Sequence, residues 1–217
     1  MKIERREDID KMTERLGLLG GSFNPVHIGH LMMAEGAREA LHLDKVLFIP
    51  APRPPHKDES MLVGIEHRVD MLRRAIADNE HFELCDIEIQ RPGKSYTIDT
   101  LRELRGIYGE ETGLYFIIGS DSIHELPQWK EIDEIIKIAE IVPIMRPGHR
   151  QGDEMHRLSG MIGAEAARRI SLRFLRIPLV NVSSTDVRQR ISTGKSIRYL
   201  VPDVVRAYIE ENGLYTE

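Results

Sequence analysis

The sequence predicts an α/β fold: a doubly wound, mostly parallel sheet with helices on both faces. Three observations carry this. Short apolar runs of strand length alternate with longer segments of helical periodicity along nearly the whole chain. Two of those runs, 16–19 and 114–118, stop at glycine, at Gly20-Gly21 and at Gly119, as a chain does when it turns from a strand into a helix. With 217 residues, 41% hydrophobic and 30% charged, the chain is long enough for one large core and has the composition of a globular protein. In such sheets ligands bind at the carboxyl ends of the strands near a switch in strand order, and both glycine turns would open there.

Each element follows in order. Leu16–Leu19 reads as the first buried strand. From Ile28 to about Leu43, the residues Leu31, Ala34, Ala37 and Leu41 recur at helical steps. Val46–Ile49 is a second strand, stopped by Pro50, and the proline-rich stretch from Ala51 to Lys57 must be a loop. Ile65, Val69, Leu72 and Ile76 mark an amphipathic helix, and Phe82 to Ile89 carries strand residues. Ser95–Thr100 leads into a helix with Ile98, Leu101 and Leu104 on one face. Leu114–Ile118 is the clearest strand. Ile132, Ile135 and Ile136 suggest a short helix, Ala139–Ile144 a strand, 147–152 a polar loop, and Phe174–Val180 a last strand. Ser183-Ser184-Thr185 precedes a helix through Val187 and Ile191, and Val201, Val204, Val205 and Tyr208 line a final helix. Residues 1–14 read as a charged N-terminal extension and 15–217 as a single domain.

Composition narrows the function classes. The formal charge is −5 and the pI about 6.0, where a nucleic-acid binder is usually basic. No apolar run reaches the roughly 18 residues of a membrane span, and the N-terminus lacks an apolar signal core, so a cytoplasmic location is expected. Cys85 is the sole cysteine; it forms no intrachain disulfide and reads as a packing thiol. His124, His149 and Cys85 do not have the spacing of a zinc site, and no protein metal site is expected.

The chemistry is concentrated in the run Gly20-Gly21-Ser22-Phe23-Asn24-Pro25-Val26-His27-Ile28-Gly29-His30. A strand, a glycine turn and a helix with two histidines in its first turn form a phosphate-holding arrangement: glycines admit close backbone approach, and a helix start offers orphan N–H groups and partial positive charge. The dinucleotide pattern G-x-G-x-x-G and the P-loop G-x-x-x-x-G-K-[ST] are both absent. A second constellation, Val182-Ser183-Ser184-Thr185-Asp186-Val187-Arg188, fits an ordinary Ser/Thr helix cap when taken alone. Beside the first motif it reads as a second phosphate-binding helix start, with hydroxyl donors and an arginine one turn in.

Gly20–His30 resembles the signature of the H-x-G-H nucleotidyltransferase superfamily, and Ser183–Arg188 resembles its S-S-T-x-[IV]-R motif. The resemblance implies a Rossmann-like nucleotidyltransferase domain over 15–217. His27-Ile28-Gly29-His30 also matches the HIGH motif of class I aminoacyl-tRNA synthetases, but those chains are far longer and their K-M-S-K-S loop is missing here; Lys11-Met12-Thr13 precedes the histidines. Pro54-Pro55-His56-Lys57, Ser95–Leu101, and Ile118–Ser122 followed by Trp129 are similar to segments of the nicotinate-nucleotide adenylyltransferase family. The order and spacing match from about Leu16 to Arg188; a departure lies at Lys130, where relatives often carry a second aromatic residue.

That resemblance implies transfer of the adenylyl group of ATP to nicotinate mononucleotide, giving deamido-NAD and pyrophosphate in NAD biosynthesis, with Mg2+ carried by ATP. It implies His27, His30 and Arg188 as catalytic residues. It places ATP against Gly20, Gly21, Ser22, Phe23, His27, His30, Gly119, Asp121, Ser183, Ser184, Thr185 and Arg188. It places the mononucleotide against Asn24, His56, Lys57, Tyr96, Thr97 and Trp129, the last stacked on the pyridine ring. The other readings are a nicotinamide mononucleotide or phosphopantetheine adenylyltransferase, and a non-catalytic nucleotide sensor. Phosphopantetheine enzymes are shorter and typically carry Thr where His27 stands. No nucleic acid or membrane partner is expected; a homo-oligomer is left open, as are 1–14 and 152–169, the latter read as a surface helix.

Overall fold

The computed structural model describes residues 13–55, 58–146, 158–178 and 180–216. Five parallel strands form one sheet: β1 (Arg15–Gly21), β2 (Lys45–Pro50), β3 (Phe82–Leu84), β4 (Gly113–Gly119) and β5 (Glu140–Ile144), in spatial order β3-β2-β1-β4-β5. The chain leaves β1 on one side toward β2 and later returns to pair β4 on the other. The switch in strand order therefore falls between β1 and β4, and their carboxyl ends, Gly21 and Gly119, flank the opening.

Side chains alternate across the sheet with period two and divide the core into two layers. Leu19, Val46, Phe48, Tyr115 and Ile117 face α1 (Ile28–Leu41), α2 (Ile65–Ile76) and the C-terminal helices. Leu16, Leu18, Leu47, Phe116 and Ile118 face the opposite layer, where α4 (Thr97–Tyr108), following the short helix α3 (Ile87–Gln90), packs with α5 (Ile132–Ile138) and α6 (Ala164–Ser171). Helices α7 (Ser184–Ser192) and α8 (Asp203–Glu211) complete the first layer through Val187, Val205 and Ile209. Gly17 in β1 is a packing requirement: a Cβ there would stand 2.8 Å from Leu43 Cδ1 and 3.0 Å from Val46 Cγ2.

Four expected elements come out differently. The strand expected over 82–89 ends at Leu84. Cys85 N–H still reaches Phe48 O at 2.9 Å, but Ile89 and Gln90 N–H then turn back onto Asp86 O to make α3. The strand expected over 174–180 shrinks to one bridge between Ile144 and Leu175. Two hydrogen bonds close it, Met145 N–H to Leu175 O and Leu175 N–H to Pro143 O, and Pro178, lacking an N–H, cannot continue the ladder. Val201 lies outside the last helix, which begins after Pro202, and α1 stops at Leu41 because His42 takes a left-handed φ of 51°. Of the segment 152–169, residues 152–157 lie outside the described residues, and the rest is helical on either side of Gly163, with Leu158 and Ala167 buried against the second core layer. Residues 1–12 lie outside the described residues.

One side chain joins the sheet to the loops above it. Arg68 of α2 is 2% exposed and donates to four main-chain carbonyls. They are Val63 at 3.1 Å, Ser22 at 2.8 Å, Ala51 at 2.7 Å and Pro52 at 3.1 Å. Burial lowers its pKa, so the carbonyl dipoles take the place of a partner anion in holding the charge. Arg68→Met would strand those carbonyls out of water; a loss of about 3 kcal/mol in unfolding free energy is expected, read as a lower urea midpoint at an unchanged slope.

Candidate active site

The turn between β1 and α1 is built from buried residues. Ser22, Asn24 and His27 are polar yet buried, and Phe23, at φ 45°, turns its ring into the core. The Asn24–Pro25 peptide is cis. His27 stands at the N-cap of α1 and His30 one turn in, with their rings stacked at 3.7 Å between centroids and 19° between planes. His30 Nδ1 accepts the His27 backbone N–H at 3.2 Å. In a neutral ring the proton therefore sits on His30 Nε2, making that nitrogen the donor. Phe23 packs edge-on against the same ring at 5.0 Å.

His27 is 2% exposed, and its Nδ1 is buried with no hydrogen-bond partner among the described residues. Burial, helped by the nearby Arg146 cation, lowers its pKa to about 4, so the imidazole is neutral near pH 7. Gly29 between the two histidines is sterically required. A Cβ there would stand 3.1 Å from His27 Cε1 and Nδ1 and 3.2 Å from Val182 Cγ1.

The second helix start is tied to the first turn. Ser183 caps α7: its Oγ accepts Asp186 N–H at 3.1 Å and donates to Asp186 Oδ2 at 2.7 Å. Ser184 Oγ donates to Pro25 O at 2.9 Å, and Arg188 Nη1 donates to Asn24 O at 2.8 Å. Two of the three hydroxyls expected to be ligand donors thus already donate internally, and the third, Thr185 Oγ1, accepts Arg188 Nη2–H at 3.4 Å. What α7 offers an anion is its first-turn backbone, at Ser184 and Thr185, where a helix leaves N–H groups unpaired. The α1 start is partly used in turn, because Ile28 N–H donates to Leu200 O at 3.0 Å.

At the end of β4, Ser120 Oγ accepts Arg146 N–H at 2.9 Å, and Arg146 Nε lies 3.1 Å from Asp121 Oδ1. A Cβ on Gly119 would overlap Asp121 Oδ1 and stand 2.9 Å from Arg146 Nε, so this pair needs the glycine. Opposite, Tyr96 and Thr97 open α4, and Trp129 packs edge-on against Phe116 at 5.6 Å and 88°. Beneath them Glu88 is buried and accepts Thr100 Oγ1–H at 2.7 Å; burial pushes its pKa up.

These groups surround one cleft of about 580 Å³, within the range of small-molecule sites. Gly20, Gly21, Ser22, His27 and His30 line it, and so do Gly119, Asp121, Ser183, Ser184, Thr185 and Arg188. Tyr96, Thr97 and Trp129 complete the expected set that lines it. Phe23 and Asn24 do not; they lie beneath the turn. Phe23 is 1% exposed in the core, and the Asn24 carboxamide is consumed internally. Its Nδ2 donates to Met61 O at 2.9 Å, while Oδ1 accepts Val63 N–H at 3.3 Å and Tyr215 O–H at 2.9 Å. Both side chains support the turn from beneath. His56 and Lys57 lie outside the described residues. Arg146 and Glu88 line the cleft and were missed; the one available signal was an arginine directly after a strand at the sheet's ligand-binding edge.

Residues 18–190 match the family described as Cytidylyltransferase-like. The chain is 41% identical over 204 residues to the "Probable nicotinate-nucleotide adenylyltransferase" of Thermoanaerobacter sp. (strain X514), covering 93% of this chain and 94% of that one. It is 44% identical over 201 residues to the protein of the same name from Exiguobacterium sibiricum, covering 93% and 98%. The chain belongs to the nicotinate-nucleotide adenylyltransferase family. Its fold is shared with the solved structure of Plasmodium falciparum nicotinic acid mononucleotide adenylyltransferase complexed with NaAD. That match has a TM-score of 0.73 at 18% identity and covers 93% of this chain and 97% of that one.

For this family member, the buried neutral His27 carries a stability signature. The unfolded chain takes up the His27 proton near pH 6.5, the folded chain only near 4. Below pH 6.5 the unfolded state binds more protons, so the contribution present in full above that value is lost as pH falls through 6.5 toward 4. The loss amounts to about 3 kcal/mol. Denaturation of wild type and His27→Gln at pH 7.5 and 4.5 checks this: the wild type is expected to lose more stability between the two, and a gap that stays constant with pH would refute it.

Proposed function

We propose that this chain transfers the adenylyl group of ATP to nicotinate mononucleotide, forming deamido-NAD and pyrophosphate in NAD biosynthesis. The observation that carries the reading is the convergence on one cleft of two helix starts, two stacked histidines and Arg188, opposite an aromatic wall holding Trp129. The first group suits a triphosphate and the second a flat ring. The near-full-length relatives bear the name of this activity.

The attacking group is the 5′-phosphate of the mononucleotide, ionised near neutral pH. One of its oxygens bonds to the α-phosphorus of ATP while the bond from that phosphorus to the β-bridging oxygen breaks, and pyrophosphate leaves with the electron pair. The nucleophile needs no deprotonation by the protein. Catalysis rests on bringing two anions together and stabilising charge on the α-phosphoryl oxygens. His30 Nε2–H and the imidazole of His27 are the neutral donors for those oxygens. Arg188 and the α7 backbone face the β- and γ-phosphates, Gly21 and Ser22 give backbone contacts, and Asp121 organises the nucleotide side with Arg146. Tyr96, Thr97 and Trp129 receive the mononucleotide, joined by His56 and Lys57 of the proline-rich loop. Free N–H groups at the α4 start favour an acid over an amide.

Magnesium enters as part of the MgATP substrate. It would be bound by phosphate oxygens and water and would offset charge on the triphosphate. Among the described residues no helix is long and apolar enough to cross a membrane.

The test is pyrophosphate release from MgATP with nicotinate mononucleotide, nicotinamide mononucleotide and phosphopantetheine in parallel. Nicotinate mononucleotide is expected to be the best acceptor. Faster turnover of the amide would overturn the acid reading, and ATP binding without pyrophosphate release from any acceptor would favour a sensor. His30→Ala is expected to lower kcat on the order of 10²–10³-fold with the fold intact, since it removes one donor to the developing charge.

A further inference from the structure

Resting on the adenylyl-transfer reading, we propose that the Lys130 side chain is a specificity-determining contact for the pyridine carboxylate, adding to the N–H groups at the α4 start in the preference for nicotinate over nicotinamide mononucleotide.

Lys130 follows Trp129 directly, and both line the cleft with Tyr96 and Thr97. Its ammonium reaches across from the Trp129 wall to the α4 wall. Nζ lies 4.9 Å from the centroid of the Tyr96 ring, and 3.2 and 3.3 Å from the two carboxylate oxygens of Asp99. An ammonium carries three N–H groups. The Asp99 carboxylate, at 3.2 and 3.3 Å, engages at most two of them, and the ring face and carboxylate together fix the position of the cation. At least one is left for a ligand entering between Tyr96 and Trp129.

The charges around it make this donor decisive. Glu125, four residues before Trp129, and Glu88, bonded to Thr100 of α4, also line the cleft, and both are carboxylic acids. The other cations lining the cleft among the described residues are Arg146 and Arg188. Arg146 is paired with Asp121 at the end of β4, and Arg188 is bonded to Asn24 O at the turn after β1. Lys130 is therefore the cation placed on the aromatic wall. A pyridine ring stacked at Trp129 brings its substituent beside residue 130. A carboxylate gains a charge-assisted hydrogen bond from the ammonium, whereas a neutral carboxamide gains a weaker one and presents N–H groups to a cation.

The experiment compares kcat/KM for the two mononucleotides, at saturating MgATP, in wild type, Lys130→Met and Lys130→Arg. Trp129 is the chain's single tryptophan, so quenching of its fluorescence gives the affinity of each mononucleotide even in a slow variant. The acid-to-amide ratio of kcat/KM is expected to fall about tenfold in Lys130→Met, mostly through KM for the acid, with a matching loss in the quenching titration. Lys130→Arg is expected to stay within about threefold of wild type, since it keeps the charge. An unchanged ratio in Lys130→Met, or an equal loss in the Met and Arg variants, overturns the proposal while leaving the adenylyl-transfer reading in place. A wild type that releases no pyrophosphate with either mononucleotide overturns both.

Discussion

The site depends on holding four residues of irregular backbone, Ser22 to Pro25, in one place. Their main-chain carbonyls are gripped from separate elements: Arg68 of α2 takes Ser22 O, Arg188 of α7 takes Asn24 O, and Ser184 of α7 takes Pro25 O. The Asn24 side chain is bonded in turn to the 61–63 loop and to Tyr215 at the other end of the chain. Each bond satisfies a buried polar group that would otherwise cost free energy. Together they fix the distance between two helix starts that are more than 150 residues apart in sequence. A reaction that works by aligning two anions is sensitive to that distance more than to any single side chain.

The electrostatics follow the same economy. A chain with net charge −5 assembles a local anion site from backbone dipoles, two uncharged imidazoles and a few guanidinium groups. Keeping His27 neutral by burial is compatible with a donor that must not also compete for the proton of a phosphate. Arg146 depresses the His27 pKa further while paired with Asp121, so part of its charge is already balanced before a triphosphate arrives. The cost of burying it alone is thereby reduced.

Much of this was legible in the sequence, and the part that was not has a physical reason. Glycine and histidine at fixed spacing revealed both the turn and its direction, because few other residues tolerate that geometry: Gly29 and Gly119 each face a functional side chain across a gap a Cβ would close. The Ser183-Ser184-Thr185 run was found, but not how its hydroxyls are spent, since a capping serine and a ligand-binding serine look alike in sequence. A buried amide on a phosphate turn has two uses, ligand contact or support, and sequence alone does not show the tertiary partners Met61 and Tyr215 that hold the Asn24 side chain. Glu88 carries no local signature, and the one signal for Arg146 is its place two residues after β5; both reach the cleft through tertiary placement.

The strand errors have the same origin and show why the site could still be found. Prediction failed at the edges, in β3 and around Leu175, where a strand has one neighbour and Pro178 or a turn at Asp86 can end pairing at little cost. It held for β5 and for β1, β2 and β4, the last three paired on both sides and buried on both faces, so that their sequences are forced into continuous apolar runs. In a sheet of this topology the ligand cleft opens between two of those central strands, β1 and β4. The same burial that makes a strand readable also makes it rigid enough to carry Gly21 and Gly119 to the edge of the cleft. The segments that defeat prediction are the ones whose exact pairing this chemistry can do without.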